Sequence, residues 1–244
     1  MPRQTPHHDD RSLTAVQAMT DEDIDQTAHL HISYLPTGFF PQLGPAFVRR
    51  WHRTFIDAPA GVALVIKDPD GQVAAFLLGT TDQHAYVRDV LHHDRLPLAW
   101  RGAAGLLSRP TLTWYFLRTR ATLYALRLTK GRGRDKREPG GTSPAGQTGV
   151  AQGKTTRAPA SEPIGVVHAV VTRPAMRGAG YGRLLLLRYE SEVSQAGTRL
   201  SQLVTRADGG AADFYRRLGW REMCRGSDRD GREIVQFDRV MGLP

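Results

Sequence analysis

Residues 173–186 read RPAMRGAGYGRLLL, with three glycines between positions 178 and 182 and a leucine run directly behind them. Just upstream, residues 164–172 read IGVVHAVVT, a β-branched run of strand character. The order is strand, glycine-rich turn, helix. A helix start leaves backbone N–H groups unpaired at the positive end of its dipole, which makes it an anion site. Arg173 and Arg177 stand beside it and can add charge-assisted contacts to a phosphate. Two common phosphate cradles do not fit. Gly178, Gly180 and Gly182 give G-x-G-x-G rather than G-x-G-x-x-G, and Arg183 and Leu184 stand where a P-loop needs Lys and then Ser or Thr. The same residues also read as a tight turn whose glycines only permit close packing.

Working outward, Leu13–Met19 is expected to be a short strand. Thr20 with Asp23 three residues on has the form of a capping box, opening a helix through about Tyr34. LPTGFFPQLG, residues 35–44, is a turn-rich loop. Pro45 suits a first helical turn, and Phe47, Val48, Trp51 and Phe55 then share one helical face. GVALVIK, the turn DPDG and QVAAFLLGT form a hairpin over 61–80. After the glycine turn come a helix, RLLLLRYESEV, a strand, LSQLVTR, a short helix and turn, GGAADFYRRLGW, and a last strand, REIVQFDRVM. No internal repeat is present. The expected class is α/β (α+β).

Between hairpin and glycine turn lies a segment of different character. Residues 85–129 are expected to be mainly helical, interrupted at Pro97 and Pro110. Residues 130–161 are rich in Gly, Pro, Thr and Arg and lack large apolar groups, so they are expected to be a disordered basic linker. The formal net charge is +9, yet residues 91–161 alone hold thirteen Lys and Arg against three acids, so the basic character belongs to this segment. TWYFLRTRATLYALRL within it has the mixed apolar and basic character of an interfacial helix, and packing on the sheet with solvated arginines is the alternative.

Arg177-Gly178-Ala179-Gly180-Tyr181-Gly182 resembles R/Q-x-x-G-x-G/A, the acyl-coenzyme A signature of the GNAT superfamily of N-acetyltransferases. HAVVTRPAMRG resembles that family's fourth strand running into its loop. AADFYRRLGW, residues 211–220, is similar to the family's A-x-x-F-Y-x-x-x-G-F segment, with Trp220 for the usual Phe. The two motifs are separated by one helix and one strand, as in GNAT proteins. The resemblance covers 164–224 well and 13–81 loosely. It implies a GNAT fold over 13–244, with a mixed and mostly antiparallel sheet flanked by helices, a disordered N-terminus at 1–12, and an insertion at 82–163 that a minimal GNAT domain lacks.

The resemblance also implies the chemistry. The pyrophosphate of acyl-coenzyme A sits on the amides of Gly178, Ala179, Gly180, Tyr181 and Gly182, beside Arg177. The pantetheine arm pairs with backbone near Val170, Val171 and Thr172. Asp208 stands where the family often has Asn, contacting the cofactor or capping the next helix. The reaction is direct transfer of an acyl group, taken as acetyl, to a primary amine, with acetyl-CoA as donor and no metal. An ammonium is no nucleophile, so a base or water chain takes its proton, and an amide donor holds the oxyanion. Tyr215 occupies the place of the family's general acid; a core aromatic beside Phe214 is its other reading. His168 matches one of the paired strand histidines of arylalkylamine N-acetyltransferases and is the candidate base, with Val166 at the partner position. Glu162 is a further candidate, and a packing role is the alternative for His168. Strand alternation puts Ile164, Val166, His168, Val170 and Thr172 on one face. Phe39 and Phe40 either wall the acceptor pocket or anchor their loop to the core.

The bulk figures agree with such a domain. With 40% hydrophobic and 23% charged residues, the chain is globular rather than fibrous or disordered. The single cysteine, Cys224, excludes an internal disulfide and a cysteine-based zinc site. No signal peptide and no run of ~18 apolar residues is present, so a cytoplasmic location is expected. His29 with His31 and His92 with His93 lack convergent ligand spacing and are expected at the surface or in loops, with no metal. Acyl-CoA and an amine are the expected partners, with no nucleic acid and membrane contact as the minority reading, and the oligomeric state is open between monomer and homodimer. A non-catalytic acyl-CoA-binding or membrane-peripheral module, using the basic insertion for partner contact, stays open as the alternative function.

Overall fold

The computed structural model describes residues 15–94, 162–228 and 230–242. The chain enters through strand β1 (Val16–Ala18), a 3-10 turn (Asp21–Asp23) and helix α1 (Ile24–Tyr34). The Thr20 amide and hydroxyl both donate to Asp23 Oδ2, at 3.0 Å each, as the Thr-x-x-Asp spacing predicts. A short helix α2 (Phe39–Gln42) and helix α3 (Pro45–Asp57) follow, the latter with its proline in the first turn. The hairpin is β2 (Gly61–Lys67) and β3 (Val73–Thr80), and helix α4 (Gln83–His93) leaves it. After residue 161 come β4 (Ile164–Thr172), α5 (Tyr181–Gln195), β5 (Leu200–Arg206), α6 (Ala211–Arg217), β6 (Arg221–Ser227) and β7 (Glu233–Val240). Of the helical stretch expected over 85–129, α4 is the part described. The basic linker 130–161 and the N-terminal residues 1–12 lie outside the described residues.

The strands form one seven-stranded sheet in the order β1-β2-β3-β4-β5-β7-β6. Every pairing is antiparallel except β4 with β5. All of β3 is buried, as a central strand covered on both faces must be. Alternation divides its side chains. Ala75 and Leu77 join a core with Leu185, Leu186, Tyr189 and Val193 of α5 and with Tyr215 and Trp220 around α6. Phe76 faces the other way, toward His31 of α1 and His52 of α3.

Strand β6 was not anticipated. Its sequence, REMCRGS, is largely exposed and shows no apolar alternation, so it carries no periodic signal; it is an edge strand paired with β7. The turn before β7 repeats the chemistry of DPDG. Asp68 Oδ1 accepts from the amides of Asp70 and Gln72, and Asp228 Oδ1 accepts from those of Asp230 and Arg232.

His31 corrects an expectation. It is buried, at 4% exposure, and its Nδ1 lies 3.0 Å from Nε2 of the fully buried His52, whose Nδ1 lies 3.0 Å from the Thr27 hydroxyl. The sequence shows His31 beside the exposed His29 but cannot show the partner that α3 brings to it. Burial holds His31 down to about 4, and burial with the His31 ring beside it holds His52 well below the usual histidine range.

Candidate functional site

The parallel pairing of β4 with β5 runs from Ile164↔Leu200 to Val167↔Leu203 and stops there. Beyond Val167, β4 continues to pair with β3 up to Ala75↔Thr172, while its β5-facing edge has no strand partner among the described residues. The sheet therefore forks. Tyr189 closes the joined end of the fork: its hydroxyl donates to the Thr80 carbonyl at 3.1 Å and lies 3.0 Å from Ser201 Oγ. Gly79 and Gly165 make room for it. A Cβ on Gly165 would stand 2.5 Å from Ser201 Oγ and 2.8 Å from the Tyr189 hydroxyl, and one on Gly79 would stand 2.6 Å from the Tyr189 ring.

The open end of the fork leads straight into the glycine turn. Arg173 still pairs by its amide with the Ala74 carbonyl, a 3-10 turn (Pro174–Met176) follows, and α5 begins at Tyr181 with Gly180 as N-cap. Gly178 and Gly180 have φ of 84° and 83°, and a Cβ on either would meet nothing within 4 Å. No side chain caps α5, so its first amides point outward unpaired by the helix. This is a cradle of bare backbone open to an anion, and the residues from Gly178 to Gly182 fit a pyrophosphate. Gly182 packs its Cα side against the Phe214 ring, which ties the cradle to α6. The flanking arginines differ. Arg173 donates to the buried carboxylate of Asp68 at 3.1 Å and so belongs to the hairpin turn, whereas Arg177 is exposed, with Nε 3.4 Å from the Thr172 carbonyl.

His168 marks a break in register. Leu78 pairs with Ala169 and Gly79 with Val167, so His168 is the extra residue of a β-bulge. The simple alternation over 164–172 is corrected here. Val170, opposite Leu77, packs on the α5 side, and Thr172, opposite Ala75, shares that side, while His168 stays on the side of α1 and α3. An alternation count assumes one residue per partner, and the bulge breaks that assumption.

Around His168 stand Trp51 and Phe55 of α3 and Tyr86 of α4, with ring centroids at 6.4, 5.1 and 6.0 Å. Its Nε2 lies 2.9 Å from Gln83 Oε1. Burial among these rings holds the imidazole down to about 4, so it is neutral at neutral pH. Phe40 reaches the same group, 4.8 Å from Trp51 and 5.4 Å from Phe47, and Phe39 follows it at 6.0 Å. Both phenylalanines are half-buried. The two lie in the short helix α2, where the sequence suggests a loop, and this segment is anchored on α3 and still presents aromatic surface.

Tyr215 lies apart from this group. It is buried, at 8% exposure, beside Phe214, Trp220 and Phe237, and no described residue hydrogen-bonds its hydroxyl. Burial pushes its phenol further above the ordinary value, so it is a held proton. Asp208 does not cap α6, whose N-cap is Gly210; its carboxylate takes both Nε and Nη2 of Arg206, at 2.8 and 2.5 Å. That guanidinium holds Asp208 below the usual carboxylate range. Glu162 is exposed. The sequence does not single out Gln83 and Tyr86, and it shows Trp51 only as part of a helical face, because they reach His168 from segments tens of residues away from it. Among the described residues no cluster of three His, Cys, Asp or Glu side chains could hold a metal, and no helix is long and apolar enough to cross a membrane.

Residues 143–222 match the family described as acetyltransferase (GNAT) domain. No curated protein matches the chain. Among solved structures, an aminoglycoside 6'-N-acetyltransferase complexed with coenzyme A is similar at 11% identity, TM-score 0.52, with 94% of this chain and 98% of that one covered. A protein named SsHAT is similar at 18% identity, TM-score 0.51, with 93% and 98% covered. The strand order, the fork beside β4 and the glycine cradle stand beside that match: residues 143–222 are similar to the GNAT acetyltransferase domain, and the described residues share the fold of these structures.

Proposed function

We propose that the chain transfers an acyl group, taken as acetyl, from acyl-coenzyme A directly to a primary amine of a small molecule or protein. The observation that carries this reading is the fork of β4 from β5 opening onto the bare amides at the start of α5. The pantetheine arm lies along Val170, Val171 and Thr172 as an added strand. The pyrophosphate rests on the amides of Gly178, Ala179, Gly180, Tyr181 and Gly182, with Arg177 adding charge and Asp208 at the rim of the same end.

In the transfer, the amine nitrogen attacks the thioester carbonyl carbon and the C–S bond breaks as the tetrahedral oxyanion collapses. An amide of β4 holds the oxyanion. His168 receives the proton from the amine, and Tyr215 protonates the departing thiolate. Phe39 and Phe40 wall the acceptor side.

Release of free coenzyme A thiol from acetyl-CoA tests the proposal on a panel of amino sugars, polyamines, arylalkylamines and peptides. Release with at least one acceptor is expected. Gly180→Glu, which places a carboxylate in the cradle at a left-handed φ, is expected to weaken acetyl-CoA binding at least tenfold. Tight binding of acetyl-CoA without release on any amine overturns the enzyme in favour of a binding module.

A further inference from the structure

The hydrogen bonds around His168 extend past the ring. Asp82 caps α4, with Oδ1 accepting from the amides of His84 at 2.8 Å and Ala85 at 3.1 Å, which sets Gln83 at the first helical position. There Gln83 Oε1 takes the Thr80 hydroxyl at 3.0 Å, and Thr80 Oγ1 in turn accepts the Val166 amide at 3.2 Å. Thr80 is fully buried. In this chain of bonds the Thr80 hydroxyl that accepts from Val166 donates to Gln83 Oε1, and the same oxygen faces the ring. A carbonyl oxygen can only accept, so the 2.9 Å contact requires His168 to carry its hydrogen on Nε2. The lone pair is left on Nδ1, and no described residue bonds to it. Trp51, Phe55 and Tyr86 contribute only ring contacts to His168, and Tyr86 spends its hydroxyl on Thr54 Oγ1 at 2.6 Å.

We propose that Gln83 is a positioning residue for acyl transfer: it locks His168 as the Nε2–H tautomer, so that Nδ1 is the atom that receives the proton from the acceptor amine. This rests on the base role given above to His168. The proton leaves the ammonium for Nδ1, Nε2–H stays hydrogen-bonded to Gln83, and the resulting imidazolium returns the proton from Nδ1 to water. The Thr80 hydroxyl holds Gln83 through the cycle, so the bulge, the end of β3 and the start of α4 act on one imidazole.

The test uses the full chain with 15N-labelled histidine, comparing native protein, Gln83→Glu and Gln83→Met. In native protein the ring nitrogen shifts of His168, assigned by their loss in His168→Ala, are expected to report the Nε2–H tautomer. Gln83→Glu keeps an acceptor and is expected to keep that tautomer, while moving the acid limb of kcat/KM with acetyl-CoA to higher pH, because a carboxylate favours the imidazolium. Gln83→Met removes the acceptor and is expected to give mixed tautomers and a kcat roughly tenfold lower or more, with KM for acetyl-CoA within about twofold. A retained Nε2–H tautomer in Gln83→Met, or mixed tautomers with unchanged kcat, overturns the role of Gln83. Full turnover in His168→Ala instead overturns the base role, and the tautomer measurement then still decides whether Gln83 sets the ring.

Discussion

Burial acts differently on Tyr215 and His168, the acid and base proposed above. Both lose contact with water, and in each case desolvation favours the neutral form. For a phenol that means a proton kept until a strong base, such as a departing thiolate, takes it. For an imidazole it means a lone pair available over a wide pH range. Tyr215→Phe is expected to keep acetyl-CoA binding and lose most turnover; unaltered kcat would leave Tyr215 as a core aromatic only. The Tyr215 motif was legible because F-Y-x-x-x-G is local. The surroundings of His168 were not, since Trp51, Phe55, Gln83 and Tyr86 converge only after two helices have docked on β3 and β4.

Among elements, α5 carries two separate features. Its first turn supplies the anion cradle, and Tyr189, two turns further on, bonds to Thr80 and Ser201 across three strands. The position of the fork therefore depends on a fully buried side chain. Gly165→Ala places a methyl group 2.5 Å from Ser201 Oγ and 2.8 Å from the Tyr189 hydroxyl, two buried groups bonded to each other, with the Thr80 carbonyl at 3.1 Å. A loss of about 1–3 kcal/mol is expected in urea unfolding. An unchanged midpoint would show that the joined end of the fork has slack. The strand-turn-helix order at this element was readable from residues 164–186, and β2 and β3 from their DPDG turn. Strand β6 escaped because an exposed edge strand needs no apolar face, so its side chains leave no period to read.

For the whole molecule, three histidines enter the fold neutral: His31, His52 and His168. In the unfolded chain each takes up a proton near pH ~6.5. Folded values below unfolded ones mean that stability is fully present above ~6.5 and is lost as pH falls toward about 4. Each histidine that stays neutral in the fold contributes a slope of about 1.4 kcal/mol per pH unit in that window. Urea unfolding at pH ~7.5 and pH ~5.5 is expected to differ by a few kcal/mol; equal stability at the two would mean that these rings protonate in place.

The bulge on β4 carries a consequence of its own. Val170 and Thr172 face α5 only because one uncounted residue, His168, precedes them, whereas Ile164 and Val166 keep the opposite side. Removing that residue would act as a half-period phase shift. Every side chain from Ala169 to Thr172 would turn over, and the arm of strand entering the glycine cradle would arrive inside out. At this point the chain encodes a number as well as a side chain, so a deletion here does what no substitution can.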